Sequence, residues 1–237
     1  VMSHVHPDNL QEEDEYCLLP NFRLPQHIHS RSANAKWLAE IAHRNPLWVH
    51  PNDAAKLGVG EGDLLKVETE IGWFIDKVWV TEGIKPGIIG CSHHIGRWRR
   101  KQDSGNRYMT NEVEIEDFGG GKMRMRTVEG VRPWESDDPD TNRVWWRDGG
   151  VHQNITHAVQ PDPISGAHCW LQKVRITKPG EGEKYGDVEV DTNKSFEYYK
   201  KWNEMAKERE THPRGERRPL WMNRPLPPRK EHWFIRE

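Results

Sequence analysis

Hydrophobic residues in the middle of this chain alternate with polar ones over short runs, and each run is closed by turn residues. Glu61-Gly62-Asp63 predicts a turn, Leu65, Val67 and Thr69 alternate as one strand, Gly72 turns the chain, and residues 74–80 return as a second strand. Lys85-Pro86-Gly87 forms another turn ahead of a short apolar run, Ile88-Ile89-Gly90-Cys91. Upstream, Leu47-Trp48-Val49 reads as a brief strand. Pro51-Asn52-Asp53 then supplies an N-cap signal for a helix over 54–57, which Gly58 stops. Trp37, Leu38 and Ile41 fall at helical spacing after a strand over 24–32, and residues 169–176 read as a closing strand with Trp170, Gln172, Val174 and Ile176 in alternation. Short strands with turn signals every 8–12 residues predict a small barrel or sandwich rather than a doubly wound sheet.

The flanks lack this pattern. Residues 1–20 carry Asp8, Glu12, Glu13, Asp14 and Glu15 without periodic apolar positions and predict an acidic linker or arm. Residues 97–150 read as a polar insertion containing a hairpin around Gly119-Gly120-Gly121. Beyond Thr177 the chain is polar, except for a helix around Phe196, Tyr199, Trp202 and Met205. Residues 206–237 hold nine basic and five acidic residues and are rich in proline, which predicts an extended tail. The expected organisation is therefore an arm over 1–20, a barrel over 21–178 interrupted at 97–150, and a helix with tail over 179–237 that docks on a partner.

Composition narrows the classes. Hydrophobic residues make up 34% of the 237 positions, below the roughly 45–50% of an average domain, so the core must be compact. No run of ten consecutive apolar residues occurs, so a membrane span and a secretory signal core are not expected and the chain reads as soluble. Thirty-five Lys and Arg against 37 Asp and Glu leave a net charge of -2, which removes the global electrostatic case for nucleic acid. The local cluster Arg97, Trp98, Arg99, Arg100 and Lys101 reads as a solvated or docking loop. Cys17, Cys91 and Cys169 are far apart and odd in number, so neither a disulfide framework nor a Cys-rich metal site is expected. Twelve Trp suggest a chain that packs against something large.

Several polar groups could carry chemistry. Ser30, Arg31, Ser32 and Asn34 stand where a strand meets a helix, a place that favours a phosphate or polar heterocycle, although Ser32 could simply cap the helix. Gln153 and Asn154 follow Gly149-Gly150; their amides could read a heterocycle or could form a polar turn. His27, His29, His43, His93 and His94 leave three uses open: a metal site, hydrogen bonding to a large polar ligand, or structural roles. No metal site is assigned, because no carboxylate or thiolate completes a ligand set. No nucleophile elbow, HExxH, GxGxxG or phosphate-binding GxxxxGK[ST] loop is present. The residues alone describe a ligand-binding β barrel without a catalytic centre.

Four ordered segments carry a resemblance. His27-Ile-His-Ser-Arg-Ser-Ala-Asn34, residues 45–63 from Asn-Pro-Leu-Trp to Gly-Glu-Gly-Asp, Thr81-Glu-Gly-Ile-Lys-Pro-Gly87, and Gln153-Asn-Ile-Thr156 with Asp162-Pro-Ile-Ser-Gly166 resemble the C-terminal dinucleotide-binding domain of molybdopterin oxidoreductases, the dimethyl sulfoxide reductase superfamily. The resemblance covers about residues 20–178, and the Arg-Ser-Ala-Asn form is most similar to the polysulfide, thiosulfate and arsenate reductase-like branch. It implies a six-stranded double-psi β barrel, aspartate decarboxylase-like, with short helices. The cofactor it implies is bis-molybdopterin guanine dinucleotide with molybdenum or tungsten, shared with the rest of the enzyme. By position, His29, Ser30, Arg31, Ser32 and Asn34 would line the pterin and phosphate path, His93 and His94 would follow the strand facing the cofactor, and Gln153 and Asn154 would contact a pterin. His168 and Gln172 are further candidates.

The family's metal-ligating residue and iron–sulfur cysteines belong to domains that this sequence does not contain, so no turnover is expected from the chain alone. The expected partners are an iron–sulfur subunit and a catalytic molybdopterin-domain polypeptide. The competing expectation is a double-psi barrel without cofactor that serves only assembly. Substrate, metal, direction of electron flow and compartment, cytoplasmic or periplasmic, are not written in these residues.

Overall fold

The computed structural model describes residues 12–20, 38, 41, 44–93, 113–127, 151, 153–158, 170–204, 206–208 and 217–219. Six strands close on themselves: β1 (Glu15–Leu19), β2 (Leu47–Val49), β3 (Leu64–Glu68), β4 (Gly72–Val80), β5 (Ile88–Gly90) and, later in the chain, β8 (Gln172–Thr177). Their order is β2-β5-β1-β8-β3-β4, and β4 returns to pair with β2. Two contacts are parallel, β1 with β5 and β2 with β4, and the other four are antiparallel. Parallel neighbours need crossover connections, which interlocks the two halves of the barrel. The chain is mainly β, and the barrel is of the double-psi type.

The sequence pattern explains the core. On β3 the alternation places Leu65 and Val67 inside, both fully buried, where they meet Leu18, Leu47, Val49, Phe74, Ile89, Val174 and Ile176. A helix, α1 (Pro51–Leu57), follows β2. The cap lies one residue before the expected Pro51-Asn52-Asp53 segment: His50 Nδ1 accepts the Asn52 N–H at 3.1 Å, Pro51 takes the first turn, and Gly58 ends the helix with φ 62°. This leaves the buried Asp53 carboxylate to accept the Gly87 N–H at 2.8 Å, tying the helix to the turn before β5.

The expected acidic arm over 1–20 is corrected at its C-terminal end, where residues 15–19 form a barrel strand between β5 and β8; residues 1–11 lie outside the described residues. Two of its acidic residues find partners across the ladder, while Glu12 and Glu13 stay exposed. Glu15 lies 2.6 Å from Lys173 and Asp14 lies 2.7 Å from Arg175, while Tyr16 and Leu18 are buried. The barrel thus begins at residue 15 rather than 21.

The sheet also continues outside the barrel through β9 (Val188–Asp191), β7 (Lys122–Thr127) and β6 (Val113–Asp117). β4 is long enough to serve two neighbours along one edge: Gly72, Trp73 and Phe74 pair with β9, and Val78, Trp79 and Val80 with β2. The hairpin expected around Gly119-Gly120-Gly121 is β6–β7, whereas β9 has no counterpart among the expected elements. Lys66 and Arg124 cover the Trp73 ring at 4.3 and 4.9 Å. Burial alone would raise the Glu183 carboxyl, but Lys66 Nζ at 2.7 Å and the Gly180 N–H outweigh it and hold the group below its ordinary value.

The expected helix is α2 (Thr192–Glu204). It is anchored by Tyr198, whose hydroxyl is pushed up to about 12 by partial burial and then by its hydrogen bond to Glu70. Within the tail, β10 (Ala206–Glu208) and β11 (Arg217–Pro219) pair antiparallel. The remaining tail positions, Trp221, Trp233 and Phe234 among them, lie outside the described residues, as do the basic cluster 97–101 and Cys169. No described helix is long and apolar enough to cross a membrane.

Candidate functional site

Where β5 leaves the barrel, residues 91–93 form a turn held from several sides. The backbone continues the β1 contact for one more pair, with Cys91 N–H donating to the Leu19 carbonyl at 3.2 Å and His93 N–H to the Pro20 carbonyl at 2.9 Å. Three side-chain amides hold the rest, those of Asn45 and Gln153 buried and that of Asn154 exposed. Asn45 Nδ2 donates to the Ser92 carbonyl at 2.7 Å while its Oδ1 accepts the Ser92 N–H at 3.2 Å. Gln153 Nε2 donates to the Cys91 carbonyl at 2.7 Å, and Asn154 Nδ2 reaches the His93 carbonyl at 3.4 Å.

Gln153 and Asn154 come from a short 3-10 turn over Gln153–Thr156. Thr156 Oγ1 donates to the Gln153 carbonyl at 2.7 Å, and the Thr69 hydroxyl meets the Thr156 carbonyl, so the β3–β4 turn supports this segment. The amide pair is therefore a structured turn seated on the barrel.

His93 is fixed by two contacts. Its Nδ1 lies 2.6 Å from the Pro20 carbonyl; a carbonyl oxygen only accepts, so Nδ1 carries the hydrogen. The indole of Trp170 stacks on the imidazole with centroids 4.7 Å apart and planes 23° from parallel. Trp170 therefore does not take the expected inward place in the β8 alternation; it precedes the strand, 39% exposed, while Gln172, Val174 and Ile176 point inward.

Beneath the turn, Cys91 Sγ donates to Asp76 Oδ2 at 3.5 Å. Burial, and then the facing Asp76 carboxylate, push this thiol well above its ordinary range. Cys91 is thus a protonated core residue rather than a nucleophile.

The structure brings together three sequence-predicted residues, His93, Gln153 and Asn154. They differ in access: Gln153 is 1% exposed, His93 is half-buried and Asn154 is exposed. Gln172 is placed differently, buried at the start of β8 and in register with Leu18 in the barrel wall. His29, Ser30, Arg31, Ser32, Asn34, His94 and His168 lie outside the described residues, as do His27 and His43. Among the described residues no group of three or more His, Cys, Asp or Glu gathers as a metal site. Sequence reading missed Asn45, Pro20 and the stacking role of Trp170.

One atom here fits a ligand rich in N–H groups. Gln153 Oε1 is buried and accepts no hydrogen bond among the described residues, although the same amide donates to Cys91. An orphaned buried acceptor costs about 1–3 kcal/mol until a donor meets it. A pterin, whose ring nitrogens and amino group donate, has the chemistry to do so.

A closed double-psi barrel with a polar turn fixed at one end defines the fold class. The comparisons then give the family. Residues 18–122 match the family described as "Molydopterin dinucleotide binding domain". A dimethyl sulfoxide reductase catalytic chain from Halobacterium salinarum is 33% identical over 97 residues, 39% of this chain and 11% of that protein. The arsenate respiratory reductase molybdopterin-containing subunit from Chrysiogenes arsenatis is 28% identical over 115 residues, 45% of this chain and 12% of that protein. Acetylene hydratase from Pelobacter acetylenicus aligns with TM-score 0.46 and 16% identity, over 75% of this chain and 20% of that one. Residues 18–122 of this chain thus carry a molybdopterin dinucleotide-binding domain, similar to the one in these dimethyl sulfoxide and arsenate reductases. The chain spans about a tenth of the length of these two curated relatives.

Proposed function

We propose that this chain is the cofactor-binding domain or subunit of a molybdenum or tungsten oxidoreductase, which clamps a bis-molybdopterin guanine dinucleotide while other domains hold the metal. The observation that carries the reading is the fixed turn after β5, which holds His93 beside the exposed Asn154, together with the buried Gln153 Oε1, which accepts no hydrogen bond among the described residues. When bound, the cofactor supplies the redox chemistry, and the protein's part is binding, orientation and electrostatics. His93 and Asn154 hold the edge of a pterin. The donors of Ser30, Arg31, Ser32 and Asn34, with His29, take the phosphate path, and His94 and His168 complete the proposed lining, while Gln172 stays in the barrel wall. The Arg-Ser-Ala-Asn segment favours the polysulfide, thiosulfate and arsenate reductase-like branch.

A charge-assisted hydrogen bond, as from Arg31 to a phosphate, contributes about 1.5–3 kcal/mol, and a neutral one, as from the Asn154 amide to a pterin, about 0.5–1.5 kcal/mol. Arg31→Ala and Asn154→Ala should therefore each lower the pterin and metal content of the purified assembly, with activity falling in proportion. Unchanged pterin and metal in both variants contradicts the assignment of these residues.

The partners in this reading are the polypeptide holding the remaining molybdopterin domains and an iron–sulfur subunit. The tail supports it through composition. A segment with nine basic and five acidic residues cannot build its own core, yet Trp221, Trp233 and Phe234 lose about 25 cal/mol for each Å² of apolar surface left in water. Deleting residues 206–237 should weaken assembly and leave the circular dichroism of the barrel unchanged. Undiminished affinity of the truncated chain for its partners contradicts the docking of the tail on a partner.

A further inference from the structure

The turn that carries His93 owes its shape to a side chain that stands apart from the proposed lining. Asn45 lies just before β2 and is 1% exposed. Its carboxamide engages both polar groups of Ser92, donating to the carbonyl at 2.7 Å and accepting the N–H at 3.2 Å. The distance from Nδ2 to Cys91 Sγ is 3.9 Å, so the same group also packs against the end of β5. A peptide unit that leaves a strand loses its ladder partners and must find others when buried. Here one amide replaces both partners of the residue between the strand and His93. Gln153 does the same for the preceding carbonyl, and the Pro20 carbonyl receives both the N–H and Nδ1 of His93.

We propose that Asn45 is a positioning residue for the cofactor: by clamping both polar groups of Ser92 it sets the place of His93, and thereby how firmly the pterin is held. This rests on the reading of the chain as a cofactor-binding domain. Asn45 acts through the turn rather than by touching the ligand. A small change at this amide therefore shifts cofactor retention without removing any group that lines the site. Carboxamide chemistry makes the inference specific, since the contact needs one donor and one acceptor on the same planar group. Neutral aspartic acid offers both with the same shape, the ionised carboxylate offers only acceptors, and alanine offers neither.

The test uses the purified holoprotein containing the full chain, in the wild type, Asn45→Ala and Asn45→Asp forms. Release of pterin is followed by its fluorescence after oxidation, at pH 8 and pH 5.5, with circular dichroism recorded on the same samples. Loss of a buried hydrogen bond corresponds to about a tenfold effect, so Asn45→Ala should release pterin about tenfold faster at both pH values. Asn45→Asp should release it about as fast as the alanine variant at pH 8 and approach the wild type at pH 5.5, where burial favours the protonated carboxyl. A general loss of stability predicts no such rescue. If Asn45→Ala does not fold, the pH response of Asn45→Asp decides alone. Release from Asn45→Asp that equals the wild type at both pH values, or that is equally fast at both, overturns the inference. A wild type that holds no pterin overturns the parent reading instead, and this one with it.

Discussion

Replacing Phe74 by Ala should destabilise the fold by about 3–5 kcal/mol, the cost of truncating a fully buried aromatic and leaving a cavity. Phe74 is completely buried and stands where two neighbours share one strand: it is in register with Val67 on β3 and with Val188 on β9. The lost ring thus removes packing from the barrel wall and from the joint with the outer sheet together. Against a typical total of about 5–15 kcal/mol, a loss of this size is a large fraction of the stability. Urea unfolding followed by circular dichroism should show a lower midpoint with an unchanged slope. A loss below about 1 kcal/mol would mean that Phe74 does not occupy the centre of the core.

Gly72→Val has a different expected outcome because the obstruction lies outside the barrel. A Cβ at Gly72 would run into the Glu189 carbonyl oxygen and stand 3.1 Å from Val190 Cα, both backbone atoms of β9. Neither atom can swing aside as the end of a side chain could, so β9 must move. Overpacking costs roughly 1–3 kcal/mol in well-packed cores, and a backbone obstruction this close places the cost at or above the upper end. The expected result is release of β9, with β7, β6 and α2 following, from a barrel that stays closed. Hydrogen exchange reads this directly: the Asp191 amide, which donates to the Ile71 carbonyl at 2.8 Å, should lose protection, while Val67 and Ile176 on the paired strands β3 and β8 keep theirs. Unchanged protection at Asp191 would show that β9 accommodates the side chain where it stands.

The barrel strands that can be read from the sequence are those with a clear period or clear turns. β3 alternates because one face is buried, and its turns carry Gly62 and Gly72; β5 is short, apolar and preceded by Pro86-Gly87. β1 is hidden because its charges sit opposite Lys173 and Arg175, and acidic residues in a run look the same whether solvated or paired across a ladder. β9 is hidden by length, since four residues carrying one fully buried side chain have no detectable period. The Trp excess suggests a large partner, yet part of it is met inside the chain. Trp48 and Trp79 stand in register on β2 and β4 with rings 4.6 Å apart, Trp73 lies beneath two cations, and Trp170 stacks on His93.

At the site, the residue types are legible and their division of labour is not. Gln153 and Asn154 are adjacent amides, and nothing in the sequence says that the first turns inward to hold Cys91 while the second stays exposed. The 3-10 turn decides it by pointing consecutive side chains in different directions. Asn45 is invisible as a site residue because its partner is the backbone of Ser92, and a side chain that reads backbone leaves no complementary residue type to find.

The most direct measurement is the cofactor content of the purified wild-type assembly that contains this chain, with pterin, guanine nucleotide and metal quantified on one sample. A cofactor-binding domain of this superfamily predicts fluorescent pterin, guanine nucleotide, and molybdenum or tungsten, all in fixed proportion to the chain and released together on denaturation. A preparation containing the chain in full amount with no pterin, no guanine nucleotide and neither metal would contradict it and leave a barrel that serves assembly alone.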